Sequence, residues 1–154
     1  MLKKFFFIIL LFNFLNHCEY QPVYSDQKKI NYKIILKSLS GDKDINNIIV
    51  SNLERNSKNN SDKIITISFD TNYSKNVLAK NVAGTITNYQ IDVLTKFIIE
   101  MDNSSENFEV NEKFNFQKMA DKYEEKNYEQ NIKKNLGNSI SQGLILRLAV
   151  IKWF

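Results

Sequence analysis

Ile65-Thr-Ile-Ser-Phe-Asp-Thr-Asn-Tyr73 decides the fold. Ile65, Ile67, Phe69, Thr71 and Tyr73 fall on one side of an extended chain, and Thr66, Ser68, Asp70 and Asn72 fall on the other. Side chains alternate faces along a strand, so this stretch predicts a half-buried β-strand with one dry and one wet face. The same period recurs downstream. Tyr89, Ile91, Val93, Phe97, Ile99 and Met101 alternate with Asn88, Gln90, Asp92, Lys96 and Glu100; then Phe108, Val110, Phe114 and Phe116 alternate with Glu109, Asn111, Lys113, Asn115 and Gln117. Upstream, Ile30, Tyr32, Ile34 and Leu36 make a fourth strand, with Ile35 out of phase. Alternation this clean belongs to sheets with one solvated face.

Between and after the strands the period lengthens. Ser40-Gly41-Asp42 breaks the first strand, and Asp42 or Asp44 caps a helix carrying Ile45, Ile48, Ile49 and Leu53, which ends near Asn56. From about Asp121, Tyr128, Ile132, Leu136, Ile140, Leu144 and Leu148 recur every fourth residue, the stripe of one long helix. Its last turns, Leu144–Ile151, are apolar nearly all round, which fits either complete burial or a partner contact through Ile145, Arg147, Ile151 and Trp153. Ser74–Gly84 and Asp102–Asn107 read as connections. The expected fold class is α+β: a two-layer sandwich with two helices packed on one face of a four-stranded antiparallel or mixed sheet. It occupies residues 28–154 as a single domain.

The N-terminus reads as an address. Lys3 and Lys4 precede an apolar run, residues 5–15, which has the charged and hydrophobic regions of a secretory signal. As a helix, that run would reach about 16 Å, roughly half a bilayer core. Behind it stands Leu15-Asn16-His17-Cys18, a cysteine placed as in a bacterial lipobox. Residues 1–17 are then a lipoprotein signal peptide, and Cys18 is the lipidated first residue of the mature chain. Residues 18–27, which hold the sole proline, Pro22, form an extended tether. More than one acyl chain is what makes such anchoring stable.

The inventory excludes much chemistry. The whole chain carries a net charge of +4; removing Lys3 and Lys4 with the signal leaves +2, too little to mark a nucleic-acid binder. His17 is the only histidine and Cys18 the only cysteine, so no Cys/His zinc site, disulfide framework or histidine-based triad is available. The glycines are scattered and build no phosphate loop. Glu124-Glu125 falls on the charged side of the long helix and reads as a solvated pair. The expectation is a non-enzyme with no metal and no cofactor other than the lipid on Cys18.

Cys18-Glu-Tyr-Gln-Pro-Val-Tyr24 resembles the mature start of the LPS-assembly lipoprotein LptE family, in its α-proteobacterial form. The element order and the Arg147-Leu148-Ala149 ending are also similar. The resemblance implies an outer-membrane lipoprotein, with its domain facing the periplasm or inside a barrel lumen. It would plug and help assemble an LptD-like β-barrel and assist lipopolysaccharide transport to the surface. In that setting the Ser74–Gly84 connection, with Lys75, Lys80 and Leu78, is the candidate contact for lipopolysaccharide or barrel, since lysines meet phosphates as point charges. The alternative is an accessory lipoprotein of another envelope transporter or of the barrel-assembly machinery.

Overall fold

The computed structural model describes residues 30, 32–102 and 104–151. The signal peptide, the tether, Cys18 and Trp153 lie outside the described residues. Six elements follow in order: β1 (Lys33–Gly41), α1 (Lys43–Asn56), β2 (Ile64–Lys80), β3 (Ile86–Met101), β4 (Ser104–Gln117) and α2 (Lys122–Val150). The strands form one open mixed sheet in the order β1-β2-β3-β4. β1 runs parallel to β2, with α1 as the crossover; β2, β3 and β4 are antiparallel neighbours. This is the expected α+β two-layer fold.

Each boundary has a local cause. Gly41 ends β1 at φ +88°, and a Cβ built there would stand 1.9 Å from the Thr71 carbonyl oxygen, so only glycine fits this crossing. Asp42 caps α1, accepting the Ile45 N–H at 3.0 Å. Asp121 does the same for α2 by accepting from Tyr123 and Glu124. Met101 pairs with Ser104, and Asp102 turns the chain at φ 50°, a left-handed conformation aspartate tolerates. The expected Asp102–Asn107 turn is therefore shorter than its polar composition suggests, and β4 begins at Ser104.

A second connection is also shorter. Ser74–Lys80 continues β2 in register with β3, and the turn occupies only residues 81–85. There the Asn81 side chain accepts from the Ala83 and Thr85 N–H groups, while Gly84 takes φ +78°. β1 pairs with β2 only as far as Thr71. Beyond that residue β2 is bounded on one side by β3 alone, and a register shift at Leu78 bends the hairpin end.

Both helices cover the same sheet face and run in the same direction, since Lys133 meets Asp42, Gly137 meets Ile48, and Asn138 and Ser141 meet Asn52. α1 brings Ile45, Ile49 and Leu53 to the core; α2 brings Ile132, Leu136, Ile140, Leu144 and Leu148. They meet Ile65, Ile67, Phe69, Ile91, Val93, Phe97 and Ile99 from the sheet, the residues the alternation places inward. Thr71 and Thr95 sit buried in the same layer and bond each other across β2 and β3. Gly137 makes the helix pair close: its own Cβ would lie 3.0 Å from Ile48 Cγ2.

Candidate functional site

The Ser74–Gly84 candidate divides into two parts with opposite environments. Lys75 points inward, under the first turns of α2. Its Nζ donates to Glu125 Oε1 at 2.9 Å and Glu129 Oε2 at 2.8 Å, and it stands 4.3 Å from the Tyr89 ring centroid and 5.2 Å from that of Phe116. Glu125 also accepts from the Met119 N–H at 3.1 Å, tying the α2 entry to the same cluster. Glu129 accepts from the Tyr73 hydroxyl at 2.5 Å. One turn further, Lys133 donates to Asp42 Oδ2 at 2.6 Å and sits 4.2 Å over the Tyr73 ring. A continuous polar seam thus joins β2, both helix entries and the aromatic edge of the core.

Its charges hold one another in place. Burial alone would raise the Glu129 and Glu125 carboxyls; the bonds from Lys75, with Tyr73 on Glu129 and Met119 on Glu125, overcome this and leave both below their ordinary range. Asp42 is treated likewise: burial raises it, while Lys133 and the capping N–H of Ile45 carry it lower. For Lys75, burial opposes the ammonium, yet Glu129 and Glu125 hold its pKa above the usual value. Burial, then the bond to Glu129, pushes the Tyr73 phenol up. The expected solvated reading of Glu124-Glu125 holds for Glu124 and is corrected for Glu125, which turns into the seam. The signal was available: Glu125, Glu129 and Lys133 recur every fourth residue beside the Tyr128–Ile132–Leu136 stripe.

The second part is the exposed hairpin end. Val77, Leu78 and Val82 are all exposed there, as is Lys80, which makes no ion pair among the described residues. The structure therefore separates Lys75 from Lys80 and Leu78, which the sequence grouped on one loop.

At the other end of α2 the partner-facing candidates are also redistributed. Arg147 donates through Nε to Glu106 at 2.6 Å and lies over the Phe108 ring, so it clamps α2 to β4. Ile145 and Ile151 are half-buried against the core. The residues left facing out are Leu146, 68% exposed, and Val150, 61% exposed. Both belong to a run that is apolar except for Arg147, so the sequence does not single them out. Burial and exposure thus coexist on these turns.

No group of three or more His, Cys, Asp or Glu side chains among the described residues is arranged to hold a metal ion. No helix among them is long and apolar enough to cross a membrane. A groove of about 480 Å³ lies between the β1 edge and the end of α1, lined by Ile34, Leu36, Leu53, Glu54, Ser57 and Asn59. Within it, Ser57 Oγ accepts the Ile34 N–H at 3.1 Å.

No protein-family profile matches the chain, and no curated protein sequence does. Solved structures do. Rare lipoprotein B from Shewanella oneidensis aligns with a TM-score of 0.54 at 12% identity, over 71% of this chain and 92% of that one. A lipoprotein of Caulobacter crescentus aligns at 0.53 and 6% identity, over 77% and 88%. A minor lipoprotein from Acinetobacter baumannii aligns at 0.52 and 15%, over 75% and 94%. At these identities the likeness is one of fold, and it is consistent with the LptE-like resemblance of the sequence.

Proposed function

We propose that the chain is an outer-membrane lipoprotein, anchored through Cys18, that plugs an LptD-like β-barrel and assists lipopolysaccharide transport. The observation that carries this reading is a conjunction. A signal-and-cysteine N-terminus and the Cys18–Tyr24 heptad precede a domain whose fold is shared with three solved bacterial lipoproteins. The physics of the domain is compatible with a plug. The outer face of β2, β3 and β4 is dominated by Asn, Gln, Ser and paired charges such as Lys113–Asp92, a surface suited to a water-filled lumen.

Within this reading the hairpin end is the lipopolysaccharide contact, and Lys80 is its cation. Lys75 would have to abandon two carboxylates to serve, whereas Lys80 has no such engagement, and Leu78 and Val82 offer apolar surface beside it. The test is a detergent pull-down of the full chain from its own envelope. Recovery of a large β-barrel at equal stoichiometry is expected; recovery of an inner-membrane transporter instead would replace the plug with an accessory role. In parallel, K80E should weaken lipopolysaccharide binding several-fold, and unchanged binding would remove Lys80 from the contact.

A further inference from the structure

The two exposed apolar residues of α2, Leu146 and Val150, lie at a defined end of the molecule. Arg147 bonds Glu106, which pairs with Ile99, itself opposite Ile67 in β2. The last turn of α2 is therefore level with the first residues of β2. The N-terminal segment arrives there too. Ile30 is fully buried, Lys33 donates its N–H to the Lys63 carbonyl, and Lys33 pairs with Ile64 at the start of β2. Ile64 and Ile35, both exposed, stand at this end on the opposite sheet face. Exposed Lys33, Lys58 and Lys63 belong to the segments that meet at this end, as do Asp62, Asp102, Glu100 and Glu106. The end carries exposed apolar side chains with lysines among the mixed charges of its rim.

We infer that this end, with Leu146 and Val150 of α2 as its apolar contacts, rests on the bilayer leaflet that holds the lipid anchor. The inference rests on the reading of Cys18 as the anchor and goes beyond it by orienting the domain. Chain length supplies the argument for the occupant. The steps from Cys18 to Ile30 span ~43 Å when fully extended, at about 3.6 Å each. β2 alone, with 17 residues, is ~56 Å long, and the turn at Val82 lies beyond its far end. Standing upright on its hairpin end, the domain would raise Ile30 farther from the anchoring surface than the tether reaches. It can lay down the end where the tether enters, and that is where α2 leaves Leu146 and Val150 uncovered. Apolar side chains in the headgroup boundary gain the transfer energy that water denies them, and lysines at the rim meet lipid phosphates.

The experiment uses the full lipidated chain in vesicles of phosphatidylethanolamine and phosphatidylglycerol with brominated acyl chains. A fluorophore is attached to V150C or, as the distal control, to V82C; both positions are exposed, so neither substitution disturbs the core. Flotation with the vesicles reports anchoring, and quenching reports contact. Quenching several-fold stronger at position 150 than at position 82 is expected. Equal or reversed quenching in a protein that floats overturns the orientation and leaves the anchor standing. Failure to float overturns both.

Discussion

The two halves of α2 bind the same sheet by different physics. From Lys122 to Lys133 the helix meets β2 through Glu125, Glu129 and Lys133, each paired and half-covered. From Leu136 to Leu148 it meets the sheet chiefly through buried aliphatic side chains, with exposed polar contacts from Ser139 to Glu112 and from Arg147 to Glu106 at its edge. Apolar burial is non-directional and insensitive to pH, whereas the charged half depends on protonation and on geometry. One helix thus has a half whose hold depends on half-buried charges and a half whose hold is mainly apolar.

The largest effect separating the halves is expected from L144A. Leu144 is completely buried, and its truncation should cost about 2–5 kcal/mol, read as a lowered urea midpoint that is the same at every pH. A pH-dependent loss would mean the halves are not separate. G137V tests the junction: a side chain there meets Ile48 at 3.0 Å already at Cβ, so overpacking of about 1–3 kcal/mol is expected. E129Q attacks the charged half. It replaces the acceptor of Tyr73, and one of the two carboxylates on Lys75, with a neutral amide and should cost about 1–3 kcal/mol at neutral pH.

The pH profile sharpens the same contrast. Glu125, Glu129 and Asp42 have depressed pKa values, so their contribution is complete above the ordinary carboxylate range and is lost as pH falls through the depressed values. Lys75 and Tyr73 are raised, so theirs is complete below about pH 10 and is lost above it. Wild-type stability, followed by urea titration, should fall at both extremes, and E129Q should flatten the acid limb. An unchanged acid limb would place the titrating groups elsewhere. The smallest effect is reserved for K113A. Its partner Asp92 lies on the outer sheet face, and loss of this exposed pair should change stability by less than about 0.5 kcal/mol.

The contrast also explains what was legible in the sequence. Ile65 to Tyr73 reads as a strand because every inward position is apolar or a threonine that finds another threonine. At Lys75 the inward position carries a charge, the hydrophobic alternation stops, and the strand is lost to inspection although the backbone continues to Lys80. The ladder to β3 continues there, and the Lys75 charge is met by two carboxylates 50 and 54 residues downstream, a tertiary fact that no local window holds. The α2 end fails for the opposite reason. Leu144–Val150 is so uniformly apolar that period alone cannot tell Leu148, which is buried, from Leu146, which is not. Sequence patterns resolve faces where polarity alternates, and they lose resolution where it is uniform or where a charge is neutralised from afar.

The change of status of β2 at Thr71 has a dynamic consequence. On the near side the strand is laddered to β1 and β3; on the far side it keeps only β3. Opening of the far segment breaks one ladder together with the Tyr73 and Lys75 bonds to Glu129 and Glu125, and it leaves Ile65, Ile67 and Phe69 in the core. Its amides should exchange with solvent through local fluctuations, and those near Ile67 only through global unfolding. The domain is therefore a rigid base whose hairpin tip, beyond Lys75, is the pliant part that a partner can reshape without melting the base.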